Sequence, residues 1–427
     1  MNKHQFILVS LALLIPFILS AQKPTQTVRG KVIDTDTKAG IPFANVVISN
    51  SDPLLGTTTD MDGNFKIEEV PVGRLNIQVS YVGYESLNLP NVLLISGKEK
   101  VLTIELRESF HQLDEVVIQG SKKTEASNEM AMLSSKQLSV EESKRHAGAI
   151  SDPARLVSSF AGVINEGTGN NDIIVRGNNP RFIQWRLEGV EIPNPNHFAE
   201  EGLTGGPINA LNSNLLANSD FYTGAFAPEY GNALSGIFDM RLRKGNNEKA
   251  EYSFGLGVLG TDLTAEGPLK KDYNGSYLVN YRYSTLSLLD ELGVVDFGGV
   301  PKYQDLNFNV FLPTEKAGVF SLFGLGGISE INGEETKEDN EDVVLEEFVQ
   351  NSSLAVGGIN HFMPLGPKSY LKSILSYSST SSEYTEKRPY KTEYRKEFVN
   401  SKLDRSSIRF ATTFNHKLNA NNDFIKQ

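Results

Sequence analysis

His197-Phe198-Ala199-Glu200 sets an imidazole and a carboxylate at H-x-x-E spacing, the arrangement of a paired zinc ligand. A working zinc site also needs a third protein ligand and a base for the metal-bound water. His4, His111, His146, His361 and His416 stand at no ligand spacing from it, so no metal is expected. Asp60-Met61-Asp62-Gly63-Asn64 offers enough oxygens to suggest calcium, but an EF-hand loop carries glycine sixth and a bidentate Glu twelfth. Here glycine is fourth and the run lies between two strand-like segments, so a hairpin turn is expected. Gly255-Leu256-Gly257-Val258-Leu259-Gly260 fits G-x-G-x-x-G, which cradles a dinucleotide only when a helix opens at the last glycine. Thr261–Pro268 turns instead, and the glycines suit a curved strand that packs against the domain formed by 127–246. With no cysteine and no nucleophile–base pair, the chain reads as non-enzymatic, with no catalytic residue and no cofactor.

Three charged residues stand out for position. Arg176 follows the apolar run Ile173-Ile174-Val175 and precedes Gly177, which places it in a compact, partly buried site. A buried guanidinium must be paired, and Glu188 or Glu229 can supply the carboxylate. These residues lie within Asp172–Asn246, where short apolar runs are broken by glycine and asparagine. That is the pattern of small strands joined by tight turns. Upstream, Asp152-Pro153 gives an N-cap and a first-turn proline, a sound helix start within a more helical stretch, 125–163.

The flanking elements differ in kind. Lys3 and His4 precede the apolar core Phe6–Leu19, and Ser20-Ala21 offers a cleavage point, so residues 1–21 read as a secretory signal peptide. Val28–Asp34, Ala44–Ser49, Gly63–Ile67, Leu75–Tyr81 and Val101–Leu106 read as strands of a β-sandwich over 27–106. From Glu251 the period is two: Tyr252, Phe254 and Leu256, then Tyr277, Val279, Tyr281 and Tyr283, then Leu306, Phe308, Val310 and Leu312, then Ile408 and Phe410 alternate with small or polar residues. Repeated without intervening helices, this is the pattern of transmembrane β-barrel strands. Short turns at Glu266–Pro268 and Pro364–Pro367 alternate with two charged stretches, Glu330–Gln350 and Glu383–Asp404, expected to be long outer loops. No run reaches the roughly 18 apolar residues of a spanning helix, and a net charge of −11 argues against nucleic acid as a partner.

Taken in order, the Arg176-Gly177 strand, Glu188-Gly189-Val190, Glu229-Tyr230-Gly231, Ser235-Gly236 and the basic exit Arg241-Leu242-Arg243 resemble the plug domain of TonB-dependent outer-membrane receptors. The wording GKVID, IPFANV, GTTTDMDGNF, VPVG and VSYVGY resembles the carboxypeptidase regulatory-like domain, a non-catalytic transthyretin-like sandwich that often precedes the plug in Bacteroidetes receptors. The resemblance implies an all-β-dominated chain: sandwich, linker 110–126, small α+β plug 127–246, and from 247 to 427 about eight or nine strands of a barrel of roughly 22. An N-terminal portion of a longer receptor is therefore expected, because an open sheet edge is not tolerated in lipid.

The same resemblance implies roles. Leu113, Asp114, Glu115, Val116, Val117 and Ile118 fall at or near the TonB box, a short β-branched segment able to add as a strand to a partner's sheet edge; the alternative is that Glu115–Gln119 is the last strand of the sandwich or a linker strand. Arg176, Glu188 and Glu229 would form a plug lock, or else a static salt bridge. In the loop Ile192–Gly206, Asn194, Asn196, His197 and Phe198 would face the ligand, or else pack on the barrel wall. The implied function is TonB-dependent import of a scarce ligand across the outer membrane, the sandwich lying in the periplasm. The alternative is a ligand-binding or sensory receptor signalling through its N-terminal domain. Implied partners are TonB with its ExbB/ExbD motor, a small-molecule, peptide or glycan ligand, outer-membrane lipid and a surface lipoprotein. Trp185–Val190 departs from the plug signature of the glycan-importer subgroup, which weighs against a polysaccharide.

Overall fold

A computed structural model of the chain describes residues 24–108, 135–138, 140, 143, 152–166, 172–199, 205–227, 229–257, 260–293, 301–337, 340–390, 393–419 and 422–426. The TonB-box candidates Leu113, Asp114, Glu115, Val116, Val117 and Ile118 and the signal segment lie outside these residues.

The N-terminal unit is built from β1 (Thr25–Asp34), β2 (Asn45–Ile48), β3 (Leu55–Thr58), β4 (Asn64–Pro71), β5 (Gly73–Ser80), β6 (Leu87–Leu94) and β7 (Lys100–Leu106). They form two sheets, β4-β1-β7 and β3-β2-β5-β6, and Val28, Val32, Val46, Ile48, Ile77 and Val79 fill the core. β1 and β7 run parallel, Gly30 opposite Leu102. A Cβ on Gly30 would lie 2.0 Å from the Leu102 carbonyl oxygen, so the backbones meet only over glycine. The sequence pattern missed β3 and β6, the outer strands of their sheet: β3 has little apolar character and β6 contains Pro90, which an edge strand tolerates. Asp60 accepts hydrogen bonds from the Asp62 (2.9 Å) and Asn64 (2.7 Å) amides, so its carboxylate organises a turn. Because β3 and β4 belong to different sheets, that turn is a corner between sheets rather than the expected hairpin.

In the second unit a five-stranded mixed sheet forms first, in the order β12-β11-β16-β15-β8. Its strands are β8 (Ser135–Leu138), β11 (Gln184–Leu187), β12 (Val190–Ile192), β15 (Ser219–Tyr222) and β16 (Ile237–Met240), with β11 and β16 parallel. Two small hairpins accompany it: β9 (Val163–Glu166) with β10 (Asp172–Val175), and β13 (Asn196–His197) with β14 (Ile208–Asn209). The helix expected at Asp152-Pro153 is one turn, α1 (Pro153–Leu156), continued as a 3-10 turn. Trp185, Leu187, Phe221, Phe238 and Met240 share one buried cluster with Phe323, Leu325, Leu354, Val356 and Ile374 of the strands that follow. The small domain and the large sheet therefore have a common core.

That sheet has nine antiparallel strands in sequence order: β17 (Glu251–Leu256), β18 (Thr261–Pro268), β19 (Ser276–Tyr283), β20 (Lys302–Pro313), β21 (Val319–Lys337), β22 (Asn340–Gly366), β23 (Ser369–Tyr390), β24 (Glu393–Asn419) and β25 (Asn422–Lys426). Alternation works as the period implies. Phe254 (65%), Ile408 (76%) and Phe410 (69%) are exposed on the face away from the plug, whereas Asn280 and Asn307 are fully buried on the face toward it.

Four expectations need correction. Thr261–Pro268, expected to turn, is strand β18, paired with β17 and β19, and the turn follows it at 269–275. A helix does intervene, α2 (Thr285–Glu291) between β19 and β20, capped by Ser284, whose Oγ accepts from the Ser287 amide at 3.2 Å. The charged stretches 330–350 and 383–404 are not loops but the far ends of two hairpins. Glu347 pairs with Lys387 in register, Arg388 bonds Glu346 at 3.0 Å, and Phe348 stacks on Tyr384. Cross-strand pairs of opposite charge and paired rings hold these ribbons. Lastly, the space over Gly260 is filled by Arg282 and the Tyr303 hydroxyl, side chains of the sheet itself and not of the plug.

Candidate functional site: the plug–wall interface

The loop joining β12 to β14 turns its side chains into the wall. Asn196, His197 and Phe198 are 4%, 3% and 7% exposed, and Asn194 is half-buried, its amide donating to the Gly205 carbonyl at 2.7 Å. Of the two alternatives for this loop, the structure shows packing on the wall for Asn196, His197 and Phe198. His197 Nε2 lies 3.2 Å from Asp305 Oδ2. A carboxylate only accepts, so Nε2 carries the proton. Arg282 grips the same oxygen through Nε at 2.8 Å and a terminal nitrogen at 2.6 Å, and that nitrogen also donates to the Asn209 carbonyl of β14. The Tyr303 ring lies 4.9 Å from the imidazole, centroid to centroid, and stands edge-on to Phe198. Gly327 of β21 makes the room: a Cβ there would come within 2.8 Å of His197 Cε1. Burial lowers the His197 pKa, Asp305 opposes that and Arg282 adds to it, leaving the value below normal. The ring is therefore neutral at neutral pH. His197 is committed to Asp305 and Tyr303, and Glu200 of the H-x-x-E match lies outside the described residues.

Around this centre the wall reaches the plug mainly through single hydrogen bonds. Ser329 and Ser352, bonded to each other at 2.6 Å, receive the Phe198 amide at 3.3 and 3.2 Å. Asn307 donates to the Ala210 carbonyl and Asn309 to the Arg243 carbonyl, each at 3.0 Å. Asn212 donates to Asn280 at 3.1 Å. At the exit from the plug, Arg243 makes a two-pronged pair with Glu266 of β18, at 2.7 and 2.9 Å.

Glu188 lies on the opposite side of the plug and does not meet Arg176. In left-handed backbone (φ 56°), it accepts from the Leu242 amide at 2.6 Å and from Asn360 of β22 at 3.0 Å. Lys372 of β23 donates to its carbonyl at 3.4 Å. Burial raises its carboxyl pKa, against the pull of the Leu242 amide and of Lys372 and Arg241. Arg176 is exposed, also left-handed (φ 52°), with its amide on the Gly162 carbonyl and its guanidinium beside Gly224. Glu229 is half-buried in the turn before Tyr230. Among the described residues no ion pair joins Arg176 to Glu188 or Glu229. The triplet is not assembled because Glu188 points to the wall, where Asn360 satisfies it.

The wall residues Arg282, Tyr303, Asp305, Asn307, Asn309 and Asn360 were missed as site residues. Their signal was present only as the polar half of the period-two pattern. Which of them meets the plug depends on contacts spanning 66 to 172 residues.

A small mixed sheet seated against the polar face of a long antiparallel sheet whose other face is apolar defines a plugged-barrel architecture. Comparison with known proteins specifies it. Residues 28–118 match the CarboxypepD_reg-like domain family. The chain is 30% identical over 154 residues to TonB-dependent receptor P39 of Formosa agariphila, covering 35% of this chain and 14% of that protein. It is 26% identical over 297 residues to TonB-dependent receptor P3 of the same organism, covering 66% of this chain and 25% of that one. Among solved structures, the siderophore receptor PiuA of Acinetobacter baumannii is similar over 70% of this chain and 45% of its own, at 10% identity and a TM-score of 0.46. The chain is thus similar to TonB-dependent receptors of Formosa agariphila, and its N-terminal residues 28–118 match the CarboxypepD_reg-like domain. It spans a minor part of the length of the receptors it matches.

Proposed function

We infer that the chain belongs to a TonB-dependent importer of the outer membrane in which the 135–246 domain gates the barrel. The observation that carries this reading is the make-up of the plug–wall contact. Apart from a shared apolar core, it is held by single hydrogen bonds from wall Asn and Ser residues and by three charged anchors, Asp305–Arg282–His197, Glu266–Arg243 and the looser Arg409–Glu191 pair at 3.6 Å. Single bonds of that kind contribute about 0.5–1.5 kcal/mol each, so they position the plug while a pull on its N-terminal side can break them one after another. In this reading Leu113–Ile118 is the pulled strand, captured by TonB by strand addition and driven by the ExbB/ExbD motor. The sandwich stands in the periplasm. The loop 192–206 acts as the coupling element, with Asn194 its most accessible candidate for ligand contact. Arg176, exposed beside Gly224, and Glu229, half-buried before Tyr230, are left as candidates for contacts made once the plug moves.

In a receptor freed of any cysteine beyond residues 1–427, which themselves contain none, Ser329→Cys places a single thiol behind the Phe198 amide. In energised cells with a working TonB this thiol should react with a membrane-impermeant maleimide several-fold faster than in cells lacking TonB. Equal rates would mean a plug that stays put, and would put the sensory receptor ahead.

A further inference from the structure

The outward face of β20–β23 changes character within three lateral rows. Leu306, Gly326, Ala355 and Ser379 stand side by side in register; the next row is Gln304, Ile328, Ser353 and Ser381; the third is Lys302, Glu330, Asn351 and Glu383. Below them Gly324 and Gly357 sit between Phe308 and Tyr377. The Phe308 ring covers Gly324, whereas Gly326, Gly357 and Ala355 leave a shallow trough in the apolar band, bounded by Phe308 on one side and Tyr377 on the other. At its upper end, where the rows turn polar, a cavity of about 350 Å3 opens, lined by Tyr283, Lys302, Glu330, Asn351, Ser381 and Glu383. That volume falls in the range of small-ligand sites. The cavity faces away from the plug, since Asp305 and Asn307, which reach the plug, lie on the opposite face of β20.

The lining chemistry is specific. Lys302 has no ion-pair partner among the described residues, and an ammonium at the edge of an apolar band suits a phosphate oxygen. Lys402 lies 3.8 Å from Glu383 and adds positive charge beside it. Glu330, Asn351 and Glu383 offer acceptors in a row, which fits sugar hydroxyls. The Tyr283 hydroxyl is fixed by Glu291 at 2.8 Å, holding its ring at the rim. A soluble substrate has no use for the apolar trough, and a plain acyl chain has no use for the polar row. We propose that the cavity and trough together hold one phosphorylated glycolipid of the outer leaflet. Its phosphate lies on Lys302, its sugar hydroxyls on Glu330, Asn351 and Glu383, and one acyl chain over Gly326 and Gly357. This inference rests on the reading of the outward face as lipid-facing.

The test uses the full-length receptor, first located by membrane fractionation and checked for heat-modifiable migration. It is then purified in mild detergent and titrated with lipid A and with dephosphorylated lipid A by native mass spectrometry. Lipid A should bind, the dephosphorylated form at least tenfold more weakly. Lys302→Glu and Ala355→Trp, which spoil the head and tail positions separately, should each weaken lipid A at least tenfold while leaving the migration unchanged. A receptor absent from the outer-membrane fraction would remove the lipid-facing reading itself. Correct insertion with no lipid A binding, or with equal binding by both variants, would overturn the lipid site alone.

Discussion

At the scale of residues, the interface turns on Asp305. One carboxylate, 2% exposed, serves a plug imidazole and a wall guanidinium together. Removing it strands both. Breaking one partner out of a buried charged set costs about 3–5 kcal/mol, so Asp305→Ala should lower the midpoint of plug release in urea strongly, measured by protease access to 192–206, while Asp305→Asn should cost less. The neutral, buried His197 gives a pH dependence of definite sign. Its folded pKa lies below the ordinary 6.5, so below that value the unfolded or undocked state takes up the proton first. The docking stability is complete above pH 6.5 and is lost as pH falls through the folded value; a titration of plug release should show this, and His197→Gln should flatten it. Of this site, the loop was legible in the sequence and its surroundings were not. Asn-Pro-Asn-His-Phe after a strand announces a structured loop, but nothing near His197 in the chain predicts Asp305. Glu188 misled for the same reason: pairing was inferred with the nearest charges in the motif, whereas Asn360, 172 positions away, occupies its carboxylate.

At the scale of elements, period-two alternation was the most legible signal because each strand has one face in contact with the plug and one without. The sheet keeps that assignment across β18–β24, which leads to a directional prediction. Ile408→Arg, on the outward face of β24, should cost about 2–4 kcal/mol of folding in lipid, read by urea titration in bilayers. Ser378→Ala, on the inward face of the neighbouring strand, removes one hydroxyl that accepts from Arg409 and should cost less than about 1.5 kcal/mol. The ends of the strands were misjudged. Charge-rich stretches read as solvated loops, yet Glu346 and Glu347 of β22 pair with Arg388 and Lys387 of β23 and tie the two hairpins together, while within the first hairpin Glu334 and Glu335 stand in register with Glu347 and Glu346. The 27 residues of β22 extend ~90 Å at the usual rise, far beyond an apolar band of about 25 Å, so these ribbons project past it.

At the scale of the whole molecule, the sandwich and the plug-and-sheet unit are separate compact bodies, each with its own core. The sandwich was legible strand by strand except at its edges, where weak apolar content and Pro90 hid β3 and β6. Composition and period change abruptly at residues 106 and 247 of the sequence. Energy coupling is the part that depends on the intact protein, and it rests on the short segment between the two bodies. The most direct measurement is binding of the purified TonB C-terminal domain to the full-length receptor with and without Leu113–Gln119. The account predicts that deletion abolishes binding while the receptor stays folded in the outer membrane. Binding that survives the deletion unchanged, or an intact receptor that never binds TonB, would contradict it.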